Sequence, residues 1–334
     1  KMEKIKMSII LILFLIIFVF LNILLSPKYM TDLIEGNMIA EYYDELKKHE
    51  VIFIGDCEVY ANFSPMVMYE EAGITAYIRG TPQQLIWQSY EILEETLKYE
   101  KPKIVVFNVN SMRYAEPISE AYNRLTIDKM KWSKEKVNII KESMTEEEKF
   151  IYYVFPILRY HSRFDKLTNE DINYFFSKKK NTFNGFLINK KIKSVGSLPT
   201  KKILGNYEFD EICYNYLDKI TNLCKKNNIE LILIKAPSLY PYWYDEYENQ
   251  IKKYAETNNL QYINLKDKVD EIKIDYKYDT YDAGIHLNLT GATKLSKYFS
   301  KILKEKYELT DYRQDILVNS IYNRKIQEYN KAIN

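Results

Sequence analysis

Five short runs of apolar and mostly β-branched residues constrain the fold more than any other feature of this 334-residue sequence. They cover residues 51–54, 74–78, 104–109, 230–235 and 261–265. Near-continuous runs of this kind are typical of strands that are buried on both faces. Helical patterns lie between the runs, and strands that alternate with helices predict a parallel sheet covered on both sides. The predicted fold class is therefore α/β, a three-layer α/β/α and flavodoxin-like sandwich.

Four helical patterns accompany these runs. Thr81 as N-cap and Pro82 as the first helical residue predict a helix that carries apolar residues as far as Leu97. The other three patterns cover residues 208–227, residues 245–258 and a stretch that starts at Thr290. Residues 111–207 interrupt the alternation, with helical stretches at 134–143 and 145–153. We interpret them as an insertion over the edge of the sheet where the chemistry is expected.

Residues 8–25 form the one uncharged apolar run of spanning length in the sequence. A helix of that length covers about 27 Å, close to the thickness of a bilayer core. Lys1, Lys4 and Lys6 precede the run and predict a cytoplasmic N-terminus, a single-pass anchor and an extracytoplasmic domain. A buried core helix and a cleaved signal peptide are the alternatives, although residues 25–29 lack a small-x-small cleavage site.

The predicted organisation has three parts. Residues 1–28 are the membrane anchor, residues 29–310 form the α/β domain, and residues 311–334 form a peripheral C-terminal helix. Lys and Arg number 48 against 46 Asp and Glu, so the net charge of +2 argues against a nucleic-acid partner. The nine glycines form no glycine-rich phosphate-binding motif, and three cysteines are too few for a disulfide scaffold. The expected site has no metal and no cofactor.

Cys57 follows the first predicted strand, at the expected start of a helix. Amide groups at a helix N-terminus favour the thiolate, and a histidine neighbour would favour it further, so the position suits a nucleophile. A small buried cysteine without reactivity is the alternative interpretation.

His286 is one of three histidines in the chain and lies four residues after Asp282, in a predicted loop before the last helix of the domain. An aspartate that orients a histidine, which then deprotonates a nucleophile, is the arrangement of a catalytic triad. An ordinary surface histidine is the alternative.

Four short blocks of the sequence match the order of blocks in a known family. They are Gly55-Asp56-Cys57 after the first run, Gly80 after the second, Asn110 after the third, and Asp282 with His286 before the last helix. On these blocks the chain resembles the SGNH/GDSL hydrolases over about residues 50–305. The resemblance implies that Cys57 is the nucleophile, His286 the general base and Asp282 the residue that orients it. It also implies an oxyanion hole made by the backbone amides of Cys57 and Gly80 and the side chain of Asn110.

The chain departs from the family pattern in three places. Cysteine stands where the family has serine, and the third block reads Asn108-Val109-Asn110-Ser111 instead of Gly-x-Asn-Asp. Asp282 precedes the histidine by four residues instead of three. Asp279, seven residues before His286, therefore remains an alternative for the acid.

Two segments outside these blocks carry candidate substrate-binding residues. Arg159 and His161 stand in a polar and aromatic run of the insertion that could hold an anionic polymer, although an ion-paired surface turn explains them equally well. Tyr242 and Trp243 belong to an aromatic loop after the fourth run, which is either a wall for sugar rings or a hydrophobic plug. Glu58 is expected to be solvated at the helix start.

With its anchor and insertion, the chain is most similar to the extracytoplasmic SGNH-type proteins that partner membrane-bound O-acyltransferases. That similarity implies acyl transfer or ester hydrolysis on a cell-surface polysaccharide or teichoic acid, in which Cys57 would carry the acyl group as a thioester. The alternatives are a non-catalytic scaffold for the membrane acyltransferase and an esterase that acts alone.

Overall fold

The computed structural model describes residues 2–27, 38–176 and 180–334. Its centre is a parallel sheet of five strands in the order β2-β1-β3-β4-β5. This is the strand order of flavodoxin-like sheets, and it confirms the predicted fold class. The strands are β1 (Val51–Gly55), β2 (Ala76–Gly80), β3 (Ile104–Asn108), β4 (Glu230–Lys235) and β5 (Gln261–Asn264).

Helices cover both faces of the sheet and form the first half of the insertion. In chain order they are α1 (Met2–Leu25), α2 (Met38–Glu41), α3 (Cys57–Tyr60), α4 (Pro65–Ala72), α5 (Ile86–Tyr99), α6 (Glu120–Ile127), α7 (Lys134–Ser143), α8 (Phe150–Val154), α9 (Ile157–Tyr160), α10 (Asn169–Asn173), α11 (Glu211–Lys226), α12 (Asp245–Asn258), α13 (Val269–Ile272), α14 (Leu289–Lys306) and α15 (Ile316–Ile333). α1 is long and apolar enough to cross a membrane, and nearly all of its apolar side chains are exposed.

The two sides of the sheet have separate cores, because successive residues of a strand point to opposite faces. Val51 and Phe53 of β1 pack into a cluster with α4 and α14. Ile52 and Ile54 pack into a second cluster with α5, α11 and α12. Covering both faces of all-parallel strands requires helices on both sides, as the apolar runs predicted.

The predicted helix start at Thr81 is wrong. α5 begins at Ile86, five residues later, and Gln83 adopts a left-handed backbone conformation with φ of 51°. That conformation cannot continue a right-handed helix. The Thr81 hydroxyl instead donates to Gln84 Oε1 at 3.0 Å within the turn.

The C-terminal helix is not peripheral, which corrects the prediction for residues 311–334. Val318, Tyr322 and Tyr329 of α15 are buried in the core cluster of α4 and α14. Tyr322 stacks on Tyr69 with ring centroids 4.1 Å apart. The spacing of these residues places them on one face of the helix. This stripe in the sequence indicates that α15 packs against the core.

The insertion divides into two halves with different positions. Its helix α7 packs against α5, α6 packs against α7, and α9 and α10 contact α1. Its second half runs along the sheet and over the expected site. Asn184 O accepts from Ile78 N of the edge strand at 3.0 Å, and Lys193 N donates to Thr280 O at 2.9 Å. Only this second half lies over the edge that the sequence predicted for the whole insertion.

Candidate active site

The site lies where the order of strands reverses. β1 is flanked by β2 on one side and β3 on the other, so the carboxyl ends of β1 and β3 border a crevice of the kind that binds ligands in open α/β sheets. Asp56 and Cys57 follow β1, and Asn108 and Asn110 lie at the end of β3. The topology therefore brings the first and third sequence blocks together.

Cys57 is the first residue of α3, as its position after the strand predicted. Asp56 is the N-cap, and its Oδ1 accepts a hydrogen bond from Glu58 N at 3.1 Å. The first backbone amides of a helix have no acceptor within that helix. The N–H of Cys57 is therefore not needed for the helix and can serve as a donor to a substrate.

Two glycines allow the tight packing around this turn. Gly55 has a φ of 151°, and a Cβ there would lie 3.0 Å from the Cβ of Asn108. A Cβ on Gly80 would lie 2.9 Å from Gly55 O and 2.5 Å from a methyl group of Val59. Larger residues at either position would push apart the strand ends that carry the site.

His286 and Asp282 form a hydrogen-bonded pair on the loop before α14. Nδ1 of His286 lies 2.6 Å from Asp282 Oδ2, and the backbone N–H of His286 donates to Asp282 Oδ1 at 2.7 Å. Asp279, the alternative acid, instead accepts from Lys294 Nζ at 2.7 Å and from Asp275 N at 2.8 Å. In this structure Asp282 is the carboxylate that orients the imidazole.

The second imidazole nitrogen of His286 lies beside Cys57. Nε2 is buried and makes no hydrogen bond of good geometry within the described residues, and the Cys57 thiol is the titratable group next to it. A free nitrogen beside a thiol, with the other nitrogen held by a carboxylate, is the geometry required for proton transfer from the thiol.

The pKa values of both groups are raised. Burial opposes the charge on His286, but the neighbouring Cys57 and the hydrogen bond to Asp282 raise the pKa of the imidazole well above its usual value. Burial also raises the pKa of the Cys57 thiol, against the positive charge of His286 and together with the negative charges of Asp56 and Glu58. The raised pKa of the thiol moves formation of the thiolate to higher pH, whereas the raised pKa of the imidazole keeps His286 protonated to higher pH.

Hydrogen bonds between loops fix the two halves of the site relative to each other. Leu287 N, next to His286, donates to Asn62 Oδ1 at 2.8 Å in the segment that follows α3. Leu239 N, in the loop after β4, donates to Gly284 O at 2.8 Å. The first bond ties the segment of Cys57 to the loop of His286, and the second ties that loop to the end of β4.

Asn110 lies beside the nucleophile turn, but its amide already has a partner. Nδ2 of Asn110 donates to Asp56 Oδ2 at 2.6 Å, and Nδ2 of Asn108 donates to Asp56 Oδ1 at 3.1 Å. Both asparagines thus hold the N-cap carboxylate. A role of Asn110 toward an oxyanion stays a prediction, and the second N–H of the same amide could serve it.

Glu58 is buried, which contradicts the expected solvated position. Its carboxylate accepts from Lys235 Nζ at 2.8 and 2.9 Å, from Ser238 Oγ and from Asn108 Nδ2. Although burial opposes ionisation, Lys235 holds the pKa of Glu58 below its usual value. A buried carboxylate requires a cation. Lys235 at the end of β4 provides it, so Glu58 is buried at the helix start instead of facing solvent.

The structure separates Arg159 and His161 from this crevice. Both belong to the part of the insertion that packs against α1, and Arg159 forms a two-pronged pair with Glu120. His161 is exposed. The interpretation as an ion-paired surface turn therefore fits Arg159, since its guanidinium is already occupied.

Tyr242 and Trp243 lie on the loop beside the site but differ in exposure. Trp243 is buried among the aromatic side chains of α12, and its indole N–H donates to Glu248 Oε2 at 2.8 Å. It corresponds to the plug and not to a substrate-facing wall. Tyr242 is partly exposed, and its hydroxyl donates to the carbonyl of Pro199 in the insertion.

Sequence reasoning missed the buried polar network of Glu58, Lys235, Ser238 and Asn108. One signal was present: Lys235 ends an otherwise apolar strand, and a lysine inside a strand buried on both faces needs a buried acid. That acid, Glu58, lies on α3 directly after β1, 177 residues earlier in the chain, and β3 separates β1 from β4 in the sheet.

Comparisons with known proteins give only distant structural similarity. No family model and no curated protein matches the chain. A protein assigned to the lipolytic G-D-S-L family from Desulfitobacterium hafniense DCB-2 is similar over 77% of this chain and 100% of its own, with 12% identity and a TM-score of 0.40. A GDSL-like lipase from Bacteroides thetaiotaomicron VPI-5482 is similar over 82% and 100%, with 11% identity and a TM-score of 0.38. The side chains of the site, and not these similarities, support the function proposed below.

Proposed function

We propose that this protein is a membrane-anchored enzyme that transfers or hydrolyses acyl esters through a thioester on Cys57. The observation that carries the proposal is the alignment of Cys57, His286 and Asp282. The thiol lies beside a ring nitrogen that lacks another partner, and Asp282 holds the opposite nitrogen at 2.6 Å. Such a set activates a nucleophile toward carbonyl carbon.

In the first half-reaction the Cys57 thiolate attacks the ester carbonyl. The C–S bond forms, the bond to the leaving alkoxide breaks, and His286 gives its proton to that alkoxide. In the second half-reaction an acceptor hydroxyl loses its proton to His286 and attacks the thioester. The Cys57 thiolate then leaves. Water as the acceptor gives hydrolysis, and a polymer hydroxyl gives transfer.

The anchor supports a cell-surface acceptor. α1 can cross a membrane, and the basic residues before the apolar run favour a cytoplasmic N-terminus. The domain would then face the cell envelope, where glycans and teichoic acids present acyl acceptors. A membrane-bound O-acyltransferase is the proposed source of the acyl group, because the described site holds no group that could activate a free acid.

Intact mass spectrometry of the full chain with p-nitrophenyl acetate tests the proposal. The wild-type protein, quenched in acid, should carry one acetyl group that is absent from Cys57→Ala. Cys213 and Cys224 are buried, and burial raises the pKa of each thiol to about 12, so they contribute little labelling. His286→Ala should slow acylation by about 100-fold or more.

Cys213→Ser is the matched control and should acylate like the wild type. Equal acylation of the wild type and His286→Ala, or no adduct in either, would contradict the proposed mechanism. Adding a soluble ribitol-phosphate oligomer then separates the two outcomes. Acetylated oligomer indicates transfer, and free acetate alone indicates hydrolysis.

A further inference from the structure

An exposed apolar patch adjoins the membrane helix on the insertion. We define the juxtamembrane belt as residues 150–176, which include α8, α9 and α10. Outside α1, the described residues expose fifteen large hydrophobic side chains, and seven of them lie in this belt. They are Ile151, Phe155, Leu158, Phe164, Ile172, Phe175 and Phe176. A concentration of this kind marks a binding surface in a water-soluble domain.

Polar contacts fix the belt to the last two turns of α1. Arg163 Nη1 donates to Leu25 O at 2.6 Å and so satisfies a free carbonyl at the helix end. Asn22 Oδ1 accepts from Ile157 N at 3.0 Å. The same Arg163 pairs with Asp171 on the far side of the belt, so the belt and the helix end form one unit.

Ring contacts show how far the belt reaches along α1. Phe155 packs edge-on against Phe18 at 5.6 Å between ring centroids, and Phe175 stacks on Phe20 at 5.0 Å. Phe18 and Phe20 lie about 10 Å and about 8 Å before Leu25 along the helix axis, within the apolar run. Any residue that touches them lies below the end of that run.

We infer that the juxtamembrane belt is an interfacial anchor that lies in the outer leaflet of the bilayer beside α1. Helices that lie in this way sink their apolar side about 5–10 Å into the boundary between headgroups and acyl chains, which is the depth set by Phe18 and Phe20. Exposed Lys149 directly precedes the belt and exposed Lys166 lies within it, and lysines of this kind reach toward lipid phosphates. The occupant of the patch is therefore lipid, and the belt holds the domain against the membrane surface.

The inference rests on the membrane-spanning role proposed for α1, and the two are tested separately. The full chain is reconstituted in nanodiscs of phosphatidylcholine and phosphatidylglycerol, with and without brominated acyl chains. Phe164→Trp and Phe176→Trp place reporters at side chains that are 73% and 86% exposed. Ile203→Trp and Ile316→Trp are the matched controls, because these side chains are 94% and 89% exposed but lie outside the belt.

Bromines quench tryptophan only at short range. After subtraction of the wild-type emission, the brominated lipid should quench the belt reporters at least twofold and leave both controls unchanged. If the protein stays in the nanodisc but belt and control reporters are quenched equally, the inference that the belt lies in the bilayer is wrong. The membrane-spanning role of α1 would still stand. Loss of the protein from the nanodisc fraction would overturn both. In a further variant, Phe155 and Phe175 are replaced by Asp. Loss of quenching of the belt reporters in this variant would confirm that the belt itself sets their depth in the bilayer.

Discussion

The buried charges next to Cys57 control its thiolate, and Glu58 offers the clearest test. The Glu58 carboxylate and the Asp56 carboxylate raise the pKa of the thiol, beyond the effect of burial. Glu58→Gln removes one negative charge and leaves the ammonium group of Lys235 nearby. The pKa of Cys57 should fall, and alkylation by iodoacetamide at pH 7 should rise roughly threefold to tenfold.

The measurement is the pH profile of Cys57 alkylation, read by mass spectrometry. Its midpoint should move to lower pH in Glu58→Gln. Lys235→Met, which removes the compensating positive charge, should move it to higher pH. Glu271→Gln changes an exposed carboxylate on α13 and should leave the profile unchanged. A profile that is the same in all four proteins would mean that the buried pair has no electrostatic influence on the thiol.

Single residues differed in how far their positions could be predicted. Cys57 at a helix start follows from local sequence, because a glycine and an N-cap aspartate precede it. The contact between Glu58 and Lys235 depends on which strands become neighbours, and no local pattern contains that information. The same limit applies to Trp243, whose burial depends on the packing of α12 against its loop.

The segment that covers the edge of the sheet provides a prediction for Gly185. Its φ is 85°, and a Cβ there would lie 2.1 Å from the carbonyl oxygen of Ile78 in the edge strand β2. Gly185→Ala should therefore force the segment away from the strand and lower the free energy of unfolding by about 3 kcal/mol. Gly205→Ala is the matched control, because nothing lies within 4 Å of its added Cβ. Chemical denaturation of both variants measures the difference, and equal stabilities would show that the segment is not held there.

The bounds of the elements differed in how well they could be predicted. β4 and α12 occupy the predicted residues, and β4 does so although it ends on the buried Lys235. β2 extends past its predicted end to include Arg79, whose side chain is buried and pairs with Glu95 at 2.7 Å. A charged residue usually ends a buried strand, and Arg79 does not because its partner lies on α5, sixteen residues later.

At the scale of the molecule, α15 connects the beginning of the domain to the insertion. Lys325 of α15 pairs with Glu45, which follows α2, and donates to Asn184 Oδ1 at 2.6 Å in the segment that covers β2. Glu45 also pairs with Lys180 at 2.9 Å. The last helix thus joins three parts of the chain that are distant in sequence, and its tyrosines complete one of the two cores.

This junction predicts how stability depends on pH. Burial alone would raise the pKa of Glu45, but Lys325 and Lys180 lower it to about 2. A carboxylate with a lowered pKa stabilises the fold above its usual pKa, and that contribution is lost as the pH falls toward 2. Lys325→Met removes one partner of a buried pair and should reduce the free energy of unfolding at pH 7 by about 3 kcal/mol. Because the pKa of Glu45 then lies nearer to its usual value, stability should fall less steeply between pH 4.5 and pH 2.

Thermal unfolding of the full chain across this pH range provides the measurement. Lys301→Met is the matched control, because Lys301 is an exposed lysine on α14 that lies 3.9 Å from Glu305. Exposed pairs contribute about 0–1 kcal/mol, so this variant should follow the wild-type curve. If Lys325→Met also follows that curve, α15 is held by its apolar face alone and the ion pair contributes nothing. If Lys325→Met is less stable at pH 7 but its stability falls as steeply as that of the wild type between pH 4.5 and pH 2, Lys180 alone is sufficient to keep Glu45 ionised.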